Sequence, residues 1–354
     1  MPAKTYHEQK SIEYTKKLRE LLALLPSYVT TYFRGIEQRT LPRTRLSYCE
    51  DLKIFFEWLY ANNPVIGSKD SVRDISPEDL SHLEAFDIED YMAYLRLRTN
   101  ERGEDIINSD AAVKRKMAAL RSMYAYLYKN EVVDTNPTVM VDLPKLHDKA
   151  IIRLDLDEIA KFLDTVESGA EHMTDRQRKF HELNKCRDLA MMTLMLGTGI
   201  RVTECVGLDV NDVDTANSRI KVTRKGGYED YVYFGNEVEE ALIPYLDERA
   251  EITDIENGHE NALFLSSRKR RMTVRNVEIM VKKYAMQVTT TKKITPHKLR
   301  SSYGTALYKE TGDIYLVADV LGHKDVNTTR KHYAAIEEER KRAAKDIVKL
   351  REDE

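Results

Sequence analysis

Tryptophan occurs once and cysteine three times in the 354 residues. Cys49, Cys186 and Cys205 are odd in number and form no CxxC, which argues against a disulfide scaffold and a four-ligand zinc site. Fourteen glycines and nine prolines are too few for a collagen-like or low-complexity chain. The most apolar stretch, Leu189 to Leu196, falls far short of the ~20 residues that span a bilayer. No apolar segment directly follows the N-terminus, so no signal peptide is expected. GxxxxGK[ST] is absent, and no carboxylates cluster at metal-ligand spacing. A large excess of basic charge is missing too: the net charge is −3, against what a generic nucleic-acid binder shows. What is present, 42% hydrophobic and 32% charged residues, suffices for packed cores. A soluble, cytoplasmic, non-membrane protein of two or three domains is the expectation.

The charge is segregated. Residues 265–300 hold Arg268, Lys269, Arg270, Arg271, Arg275, Lys282, Lys283, Lys292, Lys293, Lys298 and Arg300 against the single acid Glu278. Lys114, Arg115, Lys116 and Arg121 form a second basic cluster, while 74–110 and 229–260 are acid-rich. Such a distribution suggests one electropositive face, although a charge run alone fits solvated helix surfaces equally well.

The hydrophobic pattern is mainly helical. Tyr48, Leu52, Phe55, Phe56 and Leu59 lie on one helix face, as do Val113, Met117, Leu120, Tyr124 and Leu127 of a long helix over 108–129. Ser76-Pro77-Glu78 reads as a helix start, and a further helix is expected from about Ile88 to Arg98. Residues 1–40 read as an N-terminal helical extension, 41–142 as a helical domain, 143–149 as a linker and 150–354 as a second domain. In the second domain a helix opens at Asp155-Leu156-Asp157-Glu158, another spans Cys186 to Leu196, and Arg219–Thr223 with Asp230–Phe234 reads as a β-hairpin. Everything from Glu237 onward reads as helical.

Singly, the polar residues of this domain are weak signals. Arg201 and Glu204, after Gly197-Thr198-Gly199, would share a helix face, as an ordinary surface ion pair also would. Lys225 sits at the hairpin tip, where a solvated lysine is commonplace. His297 and Arg300 are spaced i, i+3; His323 lies in Leu321-Gly322-His323, and Tyr333 follows ten residues on.

The order and spacing are rarer than the parts. Gly197-Thr198-Gly199-Ile200-Arg201-Val202-Thr203-Glu204, then Thr295-Pro296-His297-Lys298-Leu299-Arg300, then Leu321-Gly322-His323 through Thr328-Thr329 to Tyr333, resemble the tyrosine recombinase (phage integrase) family, in its Xer-like branch. Thr44, Tyr48, Asp51-Leu52, Leu120-Arg121, Tyr124, Tyr126-Leu127 and Asn136-Pro137 resemble that family's helical core-binding domain. The resemblance runs from about residue 40 to the end. It implies a mainly α fold with a small β-hairpin or sheet, in two domains, the second being α+β and catalytic.

It also implies a chemistry. Tyr333 would attack a DNA phosphodiester, giving a 3′-phosphotyrosyl intermediate. Arg201 and Arg300 would clamp the non-bridging oxygens, and Lys225 would protonate the leaving 5′ oxygen. His297 would act as base, His323 would bind a phosphate oxygen, and Glu204 would orient Arg201 and His297. Neither metal nor ATP nor any other cofactor is expected. The expected partner is double-stranded DNA, contacted by Lys114, Arg115, Lys116, Arg121, Arg268, Arg270, Arg275 and Lys298. A homotetramer on two sites is expected, with a second recombinase or directionality factor as further partners. A C-terminal exchange helix, Glu337 to Lys349, would dock on a neighbour. The run Arg268–Arg271 has no assigned role. Within the family, Xer-like dimer resolution and mobile-element integration or excision both stay open. Three rivals to the family reading remain: a type IB-like topoisomerase, a non-catalytic DNA-binding regulator, and a metalloenzyme on His297, His323 and His332.

Overall fold

The structure, a computed structural model, describes residues 5–99, 103–146, 152–169, 173–323 and Val326. Contacts divide the chain into two compact units, residues 1–149 and 150–354. Among the described residues no helix is long and apolar enough to cross a membrane.

The first unit is a helical bundle whose starts are set by local caps. Helix α1 (Tyr6–Leu22) begins under Thr5, whose Oγ1 accepts the Glu8 N–H while the Glu8 carboxylate accepts the Thr5 N–H. Helix α2 (Ser27–Gly35) follows Pro26, and α3 (Pro42–Asn62) carries proline at its first position. Asn63 caps the short α4 (Pro64–Gly67), and Ser76 with Asp79 forms a capping box on α5 (Pro77–Ser81). Helix α6 (Ala85–Arg96) leads into an antiparallel pair, β1 (Leu97–Thr99) and β2 (Asp105–Ile107), then α7 (Asp110–Lys129).

The α7 stripe predicted from periodicity, Val113, Met117, Leu120, Tyr124 and Leu127, is buried against Leu52, Phe55, Phe56 and Leu59 of α3. Phe55 and Tyr91 meet edge-on, ring centroids 5.0 Å apart. Leu18, Leu25, Val29, Tyr32, Phe33 and Ile36 join this same core, so α1 and α2 are packed parts of the bundle. The sequence pattern carries the helix through Arg98, whereas the chain turns extended at Leu97 and pairs Leu97 with Ile107.

The second unit contains α8 (Leu156–Ser168), α9 (Asp175–Glu182), α10 (Lys185–Thr198) and α11 (Val202–Gly207). Then come β3 (Val213–Asp214), β4 (Arg219–Thr223) and β5 (Glu229–Tyr233), an antiparallel sheet in that order. Ile220 opposite Val232 and the neighbouring Val222 bury one face, as the alternation predicts. Helices α12 (Asn236–Glu251), α13 (Val274–Val288), α14 (Pro296–Thr311) and α15 (Ile314–Val320) follow.

Helix α10 is the central post, with Ala190 to Met195 buried all round and α8, α12 and α14 packed on it. Its buried Asp188 accepts Tyr284 Oη at 2.8 Å and Arg187 Nε at 2.9 Å, which ties α13 to α10. Burial, with the Asp188 charge beside it, pushes the Tyr284 phenol well above its ordinary range.

One expectation is corrected here. Residues 252–273 are not helical; they form a loop pinned by isolated bridges, Asp209 to Ala262 and Leu265 to Arg271. Backbone bonds Ser266 N to Arg270 O (2.7 Å) and Lys269 N to Ser266 O (2.9 Å) close a tight turn, with Lys269 at φ +56°. This explains part of the basic run. Arg271 donates to Val206 O (3.0 Å) and Leu208 O (2.7 Å) and pairs with Asp209, so it fastens the loop to the end of α11.

Candidate active site

The site is assembled around one reversal of the chain. Helix α10 ends at Thr198, and Gly199 takes φ +63°. A Cβ at Gly199 would lie 2.5 Å from Tyr303 Cδ1 and 2.8 Å from Leu321 Cδ2, so glycine is required both for the turn and for close packing. The turn places Arg201 in extended conformation as the cap of α11. Its backbone N–H donates to Glu204 Oε2 at 2.8 Å and its Nη1 to Glu204 Oε1 at 2.7 Å. The i, i+3 relation read from sequence is therefore a buried carboxylate accepting both the backbone N–H and the guanidinium of Arg201, not a surface ion pair.

Arg300 reaches the same turn from the first part of α14. It is buried, donating Nη1 to Gly199 O at 2.7 Å and Nη2 to Leu321 O. Arg201 Nη2 donates to Gly322 O at 3.3 Å. Two guanidiniums about a hundred residues apart in sequence thus meet at the 321–322 turn, Arg300 also holding Gly199 O and Arg201 also holding Glu204. Such rigidity is what electrostatic stabilisation of a transferring phosphoryl group requires.

Lys225 is exposed in the β4–β5 turn, and His297 is exposed one helical turn before Arg300. His323, half-buried, follows the end of α15 with its N–H on Ala318 O at 2.8 Å. Tyr333, His332 and the segment 337–349 lie outside the described residues.

Sequence reasoning missed Arg224. Its guanidinium is buried beside Lys225, donating to Glu204 Oε2 at 3.3 Å, Asp230 Oδ2 at 3.0 Å and Val320 O at 3.2 Å. Glu204 therefore serves two arginines. Together Arg201, Arg224 and Arg300 outnumber Glu204 and Asp230, leaving the site positive and suited to an anion.

The basic residues read as DNA contacts divide into two groups. Lys114, Arg268 and Arg275 are exposed, and Lys298 is half-buried. Arg270 is exposed but pairs with Glu256, and Arg121 donates to Val141 O. Lys116 is corrected: it is buried, its Nζ 2.9 Å from Asp51 Oδ1, so that ammonium serves the bundle and not an external phosphate. Arg115 holds the same carboxylate with Nη2 at 2.8 Å and also Ser47 Oγ at 2.9 Å. A buried Asp51 facing two cations is stable only because both are hydrogen-bonded to it.

Burial pushes the thiol pKa of Cys49 up to about 12 and that of Cys186 up to about 11, and it raises Cys205 as well.

Taken together, the mainly helical two-unit fold and the arginine-rich site suit a protein that acts on an anionic, phosphate-bearing polymer. Residues 153–340 match the phage integrase family. The chain is 32% identical over 91% of its length to tyrosine recombinase XerC of Caldanaerobacter subterraneus, spanning 83% of that protein. It is 32% identical over 93% of its length to tyrosine recombinase XerS of Streptococcus mutans, spanning 97% of that protein. The fold matches XerH site-specific recombinase bound to its difH substrate with a TM-score of 0.60, at 18% identity, over 98% of this chain and 99% of that one. It matches lambda integrase bound to a core site at 0.59, also at 18% identity, over 85% and 96%. The chain belongs to the phage integrase family of tyrosine recombinases and is a site-specific DNA recombinase. Neither the topoisomerase, the regulator nor the metalloenzyme reading gains support from these likenesses.

Proposed function

We propose that the protein cuts and rejoins duplex DNA at a specific site, and that its role is the resolution of chromosome or plasmid dimers. The observation that carries the chemistry is the pair Arg201 and Arg300, locked on the turns at Gly199 and Leu321–Gly322.

Tyr333 Oη attacks the scissile phosphorus as the P–O5′ bond breaks, leaving the phosphate on the tyrosine through the 3′ end. The Tyr333 proton passes to His297, and Lys225 gives a proton to the departing O5′. Arg201, Arg300 and His323 hold the non-bridging oxygens while negative charge accumulates. Glu204 keeps the Arg201 fork oriented. The phosphotyrosyl bond conserves the phosphodiester's energy, so rejoining needs only attack by a 5′ hydroxyl.

Lys114 in the first unit, and Arg268, Arg275 and Lys298 in the second, supply exposed or half-exposed positive charge for the DNA backbone. The linker over 143–149 joins the two DNA-holding units, and the segment 337–349 docks on a neighbouring protomer. The Xer-type reading is supported by relatives named tyrosine recombinase XerS, of which this chain spans 97–100% at 30–32% identity, and dimer resolution is the role we propose for that type. The cytoplasm, where such DNA resides, is the proposed location.

Native mass measurement tests the assembly. Two site-bearing duplexes with four copies of the chain are expected. One chain per duplex at saturation would point instead to a swivelling, topoisomerase-like monomer.

A further inference from the structure

Arg224 has an environment unlike that of the other cations on the hairpin. Arg219 and Lys221 sit at the surface in half-exposed ion pairs. The Arg224 side chain is 2% exposed, too enclosed to touch DNA. Burying a guanidinium is unfavourable unless every face finds a partner. Here Nε holds Asp230 across the hairpin at 3.0 Å, Nη1 holds Glu204 at 3.3 Å, and Nη2 holds Val320 O at 3.2 Å.

A fourth face rests on Gly322. A Cβ there would fall 3.0 Å from Arg224 Cζ and Nε, and Gly322 itself lies at φ +61°. The glycine between Leu321 and His323 thus makes room for this arginine. The Arg224 backbone also closes the turn, donating to Tyr228 O at 2.9 Å and accepting from Gly227 N–H at 3.0 Å.

We infer that Arg224 is a positioning residue: it anchors the turn carrying Lys225 to Glu204 and to the end of α15, so that proton donor, arginine clamp and His323 keep one relative geometry. The turn residues 225–228 are exposed, and Arg224 is the buried residue next to Lys225. The general principle is that proton transfer demands placement within hydrogen-bond reach. The inference rests on the reading of Lys225 as the acid that protonates O5′.

The leaving group separates the possibilities. DNA with sulfur replacing the bridging O5′ expels a thiolate, whose pKa near 8.5 removes the need for a proton donor. Single-turnover cleavage would be measured on oxygen and sulfur DNA, each variant compared with wild type on the same DNA. Lys225→Ala should be slowed by about a hundredfold or more on oxygen DNA, yet restored to within about threefold on sulfur DNA. Arg224→Ala should show the same pattern, slowed by at least about tenfold on oxygen DNA and restored on sulfur DNA.

Asp230→Ala removes only the cross-hairpin partner, which is 42% exposed, so it tests the anchor even if Arg224→Ala does not fold. It should be slowed by about fivefold on oxygen DNA and restored on sulfur. If Lys225→Ala is rescued by sulfur but the Arg224 or Asp230 variant is equally slow on both DNAs, or shows no defect on oxygen DNA, the positioning role is overturned. If Lys225→Ala itself is not rescued, the proton-donor reading fails, and the anchor inferred for it fails with it.

Discussion

Tyr333→Phe is expected to bind site DNA as the native protein does and to form no covalent adduct. The change removes one oxygen, and with it the only atom through which the proposed phosphotyrosyl bond forms. It leaves the arginine clamp on turns 199 and 321–322 untouched, since Gly199, Arg201, Glu204 and Arg300 meet through their own hydrogen bonds. Phosphate recognition and cleavage should therefore separate cleanly in this variant. Gel-shift titration and a denaturing gel on the same samples check both halves. A surviving adduct would move the nucleophile to another residue.

Arg300→Ala should have the other large effect. The guanidinium is buried, and its Nη1 and Nη2 donate to Gly199 O and Leu321 O, joining the arginine box to the Leu-Gly-His box. Its loss removes transition-state charge stabilisation of about 2–5 kcal/mol, or about 30- to 5,000-fold in the cleavage rate. Arg300→Lys should recover little of it, because a point ammonium cannot span two carbonyls and a phosphate as a planar fork does. Single-turnover cleavage rates check this. A loss smaller than tenfold for the alanine variant would contradict the role given to Arg300.

Part of the arrangement was legible from local spacing. Arg201 and Glu204 lie three residues apart at a helix start and meet through hydrogen bonds, whereas His297 and Arg300, three apart on α14, are exposed and buried respectively. The α3 and α7 stripes were legible for the same reason: one periodic face, buried on one core. The hairpin of β4 and β5 showed in its alternation and in the glycines between the strands.

What escaped sequence reasoning depends on partners distant in the chain. Arg224 looks like the solvated neighbour of Lys225, but Glu204, Val320 and Gly322, all distant in the chain, enclose it. Lys116 sits in a basic run that reads as surface, but Asp51 on α3 draws it inward. Arg271 belongs to the most basic stretch and still serves two backbone carbonyls and Asp209. A charge run gives composition, whereas the direction of each side chain is decided by the element packed against it. The pair β1 and β2 was missed because three-residue strands carry too little pattern to interrupt the helical reading through Arg98.

The central claim, metal-free tyrosine cleavage leaving a 3′ link, is tested most directly with site DNA nicked just beyond the scissile phosphate. Cleavage then releases a short 5′-hydroxyl fragment, and the protein is trapped on the other side. The native protein, EDTA and DNA labelled at the 5′ end of the cut strand would be run on a denaturing gel. A labelled, SDS-resistant species shifted by the mass of one chain is the predicted result. A band that requires divalent metal, or an adduct carrying only the label from the 3′ side of the cut, would contradict it.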